Sequence, residues 1–140
     1  MTDSFYAALG RAIDDRSAER GIEPAEAAMA VMTLVVNAMS ADIPQELVGS
    51  VQAASDRWLR GQADVPSLTT ARVACWQYLE AKNGNSVAID DREDLAVRAL
   101  ICVLWDEPES DLGMSLDFFG MLGERYGGLV PLLTTIDPDS

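Results

Sequence analysis

The sequence predicts an all-α fold, a compact single-domain bundle of about five to seven helices, and three observations carry the prediction. Apolar residues recur at steps of three and four through most of the chain. Glycine and proline fall between those runs, where helix stops and starts belong. No stretch alternates apolar and polar residues cleanly, and no tight-turn dipeptide joins two β-branched runs, so strands have no support. At 140 residues the chain fits one domain, of a size that buries roughly two-thirds of its unfolded surface. That domain is expected over residues 1–136, with 137–140 a loose tail.

The first helix is expected from Asp3 or Ser4, whose short side-chain oxygens cap free amides, to Arg20. Phe5, Leu9, Ala12 and Ile13 make its inner stripe, and Asp14, Asp15, Arg16 and Glu19 its wet face. Gly21 suits a left-handed stop. Pro24 fits the first turn of a second helix. That helix runs to Met39 and is buried by its content of Met29, Val31, Met32, Leu34, Val35 and Val36, the methionines serving as core filler. A third helix starts around Asp42, Pro44 and Glu46; Ile43, Leu47, Val51, Ala54 and Trp58 follow one another at steps of three or four before Gly61 ends it. Gln62 to Ser67, with Pro66, reads as a loop and a hinge.

A fourth helix from Ser67 turns Leu68, Cys75, Trp76 and Leu79 inward, with the Arg72 stem packed on the Trp76 ring. After the polar break Asn83-Gly84-Asn85-Ser86, Asp90 and Glu93 have capping-box spacing, and Asp91 and Asp94 add first-turn charge that the helix dipole favours. From Ala96 to Trp105 only Arg98 is charged, so this fifth helix belongs at the centre of the core, with Asp94, one turn earlier, pairing Arg98. A sixth runs from Ser110 or Asp111 to Tyr126 with Leu112, Leu116, Phe119 and Leu122. Gly113, Gly120 and Gly123 inside it each cost about 0.5–1 kcal/mol relative to alanine. Close approach of another backbone, or a segment that reshapes on binding, would account for them. The expected core is Met29, Val35, Leu47, Trp58, Trp76, Leu100, Leu104 and Phe119, with the three tryptophans, Trp105 included, as anchors.

Charge is the most unusual property. Twenty-three acidic residues against ten basic ones give a net charge of −13, which repels nucleic acid and anionic membranes and attracts basic surfaces. No apolar stretch is long enough to span a bilayer and no secretory pattern opens the chain, so a cytoplasmic protein with reduced thiols is expected. Histidine is absent, which removes the commonest general base and metal ligand together. Cys75 and Cys102 lie among apolar neighbours that raise a thiol's pKa, and read as core residues that face each other. The run from Asp106 to Asp111 lacks the glycine and the terminal acid of a calcium loop. No cofactor, metal site or catalytic residue is expected.

One local rule is broken. Asp106, Glu107 and Glu109 follow the C-terminus of the central helix, where the dipole disfavours negative charge. Broken rules cluster at functional sites. The expected partner-binding set is therefore Trp105, Asp106, Glu107, Glu109 and Asp111, supported by Asp90, Asp91 and Glu93. The chemistry this predicts is electrostatic capture of a basic protein partner by a small non-enzymatic binding protein, as an immunity protein or antitoxin captures a toxin. The alternative is a structural or adaptor subunit that forms a homodimer through apolar helix faces. A carboxylate-based enzyme ranks last.

Overall fold

The computed structural model describes residues 5–61, 65–83, 92–104 and 112–126. Among the described residues, six α-helices carry the fold: α1 (Phe5–Arg20), α2 (Pro24–Ala38), α3 (Val48–Trp58), α4 (Val65–Asn83), α5 (Arg92–Cys102) and α6 (Leu112–Tyr126). Two 3₁₀ turns, Ser40–Asp42 and Gln45–Leu47, join α2 to α3, and no strand occurs among the described residues. The all-α bundle read from periodicity is the fold.

Local signals set the first boundaries. Gly21 and Gly61 adopt φ of 62° and 71°, left-handed conformations that glycine takes without strain; α1 stops directly at Gly21, and α3 ends at Trp58, three residues before Gly61 turns the chain away. Beyond α1, the Ser17 hydroxyl donates to the Ile22 carbonyl at 2.6 Å, and the Ile22 amide returns to the Ser17 carbonyl at 3.2 Å. Pro24 opens α2, where its missing N–H has no intrahelical acceptor to lose. Two boundaries differ from expectation. The third helix begins only at Val48, because the Asp42–Leu47 stretch tightens into 3₁₀ turns around Pro44. The fourth begins at Val65, so Pro66 belongs to a helical first turn rather than to a loop.

Helix α5 lies at the centre. Ala96, Val97, Ala99, Leu100, Val103 and Leu104 are fully buried, and the helix packs against α2, α3, α4 and α6. Helix α1 packs on α2 and α6, α2 on α3, and α3 on α4. Met29, Val35, Leu47, Trp58, Leu100, Leu104 and Phe119 are all buried as expected, each large apolar side chain contributing about 1.5–3 kcal/mol. Gly120 of α6 is buried too, consistent with close helix approach.

Three core assignments need correction. Trp76 is 50% exposed: the buried stripe of α4 is Leu68, Ala71, Cys75 and Leu79, and Trp76 is turned about 100° away from Cys75. Arg16, expected on the wet face of α1, is only 4% exposed, because it shares the stripe of Leu9 and Ile13. Burial, and then repulsion from Arg20, lower its pKa from the ordinary arginine value. Its Nε has no acceptor among the described residues. The thiols do not face each other: Cys75 meets Ser50 of α3, whereas Cys102 meets Ser115 of α6.

The C-terminus of α5 is held from two directions. Trp58 Nε1 donates to the Val103 carbonyl at 3.0 Å, and Arg72 Nη1 donates to the Leu104 carbonyl at 3.1 Å. Carbonyls left over at a helix end thus find donors from α3 and α4, one of them cationic, as the dipole favours. Arg72 is therefore engaged with this terminus. The Arg98 guanidinium carbon lies 6.0 Å from the Trp76 ring centroid.

Candidate functional site

Helices α3 and α4 pack together along one side and leave an open groove along the other. A cleft of ≈ 660 Å³ lies between Gly49, Gln52, Ala53 and Asp56 of α3 and Ser67, Thr70, Ala71 and Ala74 of α4. A second, of ≈ 690 Å³, passes Leu47 and continues along α4 by Gln77, Tyr78 and Ala81 to Lys82. Glu46 and Ala74 border both, so the clefts form one groove.

The sequence of α4 builds this surface by helical spacing. Ser67, Ala71, Ala74, Tyr78 and Ala81 follow one another at steps of three and four and so share one face. Ser67, Ala74 and Ala81 recur every seven residues, and their small side chains keep the floor low. Val48 and Val73, 51% and 48% exposed, stand one turn before the groove residues Gln52 and Gln77 and make apolar lips.

Charge sits at both ends and in the middle. At one end, Asp56 Oδ1 accepts from Gln52 Nε2 at 3.0 Å and pairs with Arg60 Nη1 at 2.5 Å. At the other, Lys82 Nζ lies 3.0 Å from Glu93 Oε1 and 3.0 Å from Asp94 Oδ1 of α5. The Asp94 carboxylate is fully buried, and its contact with Lys82 is a close charge pair rather than an aligned hydrogen bond. Lys82, from another helix, thus takes the place expected for Arg98. Tyr78 Oη also donates to Glu93 Oε1. Burial, then that hydrogen bond and the Glu93 charge, push the phenol up to about 12. In the middle, Glu46 is exposed and has no ion-pair partner among the described residues.

Of the eight residues expected to contact a partner, only Glu93 is described. It sits in the first turn of α5, tied to α4 through Tyr78 and Lys82. Trp105, Asp106, Glu107, Glu109, Asp111, Asp90 and Asp91 lie outside the described residues. The chain matches no family model, no curated protein and no solved structure. The groove itself went unread in the sequence, although the seven-residue recurrence of Ser67, Ala74 and Ala81 was a usable signal. Glu46, Asp56 and Lys82 carried none, because their roles depend on how α3 and α5 dock against α4.

The thiols are poor nucleophiles here. Burial pushes Cys75 up to about 11, against the opposing hydrogen bond from Ser50, and burial also raises Cys102. Among the described residues no three acidic or sulfur ligands converge on a metal-sized site. No helix among them is long and apolar enough to cross a membrane.

Proposed function

We propose that the chain is an acidic binding protein that occupies or regulates a basic protein partner, in the manner of an immunity protein or antitoxin that masks a basic toxin. The observation that carries the reading is how unevenly the two signs of charge are used. Six of the ten basic residues are engaged within the fold: Arg16 is buried, Arg57 lies 4.0 Å from the Trp58 ring centroid, and Arg60, Arg72, Lys82 and Arg98 hold the contacts given above. Among the described residues, eight acids stand exposed and unpaired. Asp14, Asp15, Glu19, Glu23 and Glu26 cluster around the α1–α2 turn, and all five are exposed, as are Glu46, Glu80 and Asp117. No ion pair engages any of these eight among the described residues. Together with the net charge of −13, these unpaired exposed carboxylates give a negative surface field, which steers a basic partner into fast, salt-dependent encounter.

The homodimer reading has less support. The apolar residues of α6 that would serve it are turned inward, with Phe119 and Leu122 fully buried and Leu116, Phe118 and Met121 packed against the core.

The experiment is affinity capture of the tagged chain from host lysate at low and moderate salt, with bound proteins identified by mass spectrometry. A stoichiometric basic protein that leaves as salt rises supports the reading. Recovery of only the chain itself, as a salt-resistant oligomer, removes it.

A further inference from the structure

We propose that the α3–α4 groove receives a basic amphipathic α-helix belonging to the partner protein. The inference rests on the acidic-binder reading, and it names the docking surface and the form of what docks. Length and lining decide the form. From Ser67 to Lys82 the groove follows α4 for about 22 Å, close to four helical turns. Its walls are helix side chains, so an extended peptide would find no strand edge for its backbone, whereas a helix satisfies its own amides and carbonyls. The low floor at Ala71, Ala74 and Ala81 lets a second helix approach to the usual packing distance of about 8–10 Å. Val48 and Val73 on the lips would then be covered by the apolar face of the incoming helix.

Charge decides the composition. Of the charged side chains that line the two clefts, Glu46 and Asp56 stand against one base, Lys82, for a net charge of −1; Arg60 pairs with Asp56, and Glu93 and Asp94 pair with Lys82, from outside the lining. Asp56 and Lys82 are thus already held by the end pairs. Glu46, at the junction of the two clefts, is the carboxylate left for an incoming lysine or arginine. A neutral or acidic helix laid there would strip water from Glu46 and return no counter-ion, which selects against it.

The test uses the full chain and a phage-displayed library of helix-forming peptides of about 16 residues, matched to the groove length. Half of the library carries lysine and arginine at its polar positions and half carries glutamate. Enriched peptides are titrated into nitrogen-15-labelled protein, and into Ala74→Phe, which fills the groove floor, and Glu46→Arg. Enrichment is expected for basic amphipathic sequences whose shift changes gather on residues 46–56 and 66–82. Each substitution should weaken binding by about tenfold or more with unchanged helical content. Enrichment of acidic peptides, or of none, overturns the proposal, as does undiminished binding to either folded variant. Should Ala74→Phe not fold, Glu46→Arg alone decides. Basic peptides that map to the α1–α2 turn would sink the groove and leave the acidic-binder reading standing; salt-insensitive capture from lysate would sink that reading by itself.

Discussion

Trp58→Phe separates one hydrogen bond from the packing around it. In the native chain the indole N–H meets the Val103 carbonyl at 3.0 Å, and Val103 is fully buried. Phenylalanine keeps an aromatic ring in the site and deletes the donor. The carbonyl then loses its partner without gaining water, at a cost of about 1–3 kcal/mol. The smaller ring adds about 1 kcal/mol through lost contacts and an imperfectly closed cavity. The expected loss is therefore about 2–4 kcal/mol, or roughly 6–15 °C in melting temperature for a domain of this size. Urea unfolding followed by far-UV circular dichroism is the suitable assay, since tryptophan fluorescence changes with the substitution itself. Trp76→Phe is the internal control. That ring is half exposed, with Arg98 at the outer limit of a cation–π contact, so the loss should be about 0.5 kcal/mol or less. A Trp58→Phe variant within about 0.5 kcal/mol of wild type, or a larger loss at Trp76, would refute the assignment of Trp58 as the donor that closes α5.

Lys82→Met should destabilise by about 2–3 kcal/mol in urea, because it takes a counter-ion from the buried Asp94 carboxylate; a negligible change would mean that the pair does not tie α4 to α5. Arg16→Met should be neutral or stabilising by up to about 1 kcal/mol, since a buried guanidinium with an unsatisfied Nε gives way to an apolar chain of similar reach; a large loss would reveal an anionic partner for Arg16. The Cys75 thiol stays protonated in the fold up to about pH 11, whereas the unfolded thiol ionises near 9.0. Its stabilising contribution is thus complete below pH 9 and fades as pH rises from about 9 to 11, by up to about 2–3 kcal/mol. Cys75→Ala should flatten the alkaline fall of the urea midpoint, and parallel curves for the two proteins would contradict that. Native Cys75 should also resist iodoacetamide at pH 8 until the chain unfolds.

Helix boundaries governed by neighbours in sequence were legible. Gly21, Pro24 and Gly61 act through their own backbone chemistry, and each does in the fold what its residue type implies. The burial of α5 was legible too, because a nearly uninterrupted apolar run leaves few other places for a helix. What was lost depends on rotation and docking. Cys75 and Trp76 are adjacent on α4 and only one can face the core; the smaller does, and periodicity alone does not rank them. Arg16 was legible by spacing, at three residues from Ile13 and seven from Leu9, but its charge type argued for solvent. For the candidate site, the sign of the surface field was readable from composition. Of the groove only its floor was readable, in the seven-residue recurrence of Ser67, Ala74 and Ala81; its opposite wall depends on how α3 meets α4, and neither helix signals the other's register. Asp94 was placed in the right turn with the wrong partner, because Lys82 reaches it across a helix interface.

The hold that Trp58 and Arg72 exert on the end of α5 bears on biosynthesis. Nine residues of α2 are buried; α1 and α3 cover two of its sides, and α5, which packs on another, follows about sixty residues later. At translation rates of about 5–20 residues per second, that side of the helix waits several seconds for its cover. Trp58 waits similarly for the Val103 carbonyl, and Arg72 for that of Leu104. Nascent chains arrested before α5 emerges should therefore present a sticky methionine- and valine-rich surface to chaperones, and release from them should coincide with synthesis of the segment that ends at Leu104.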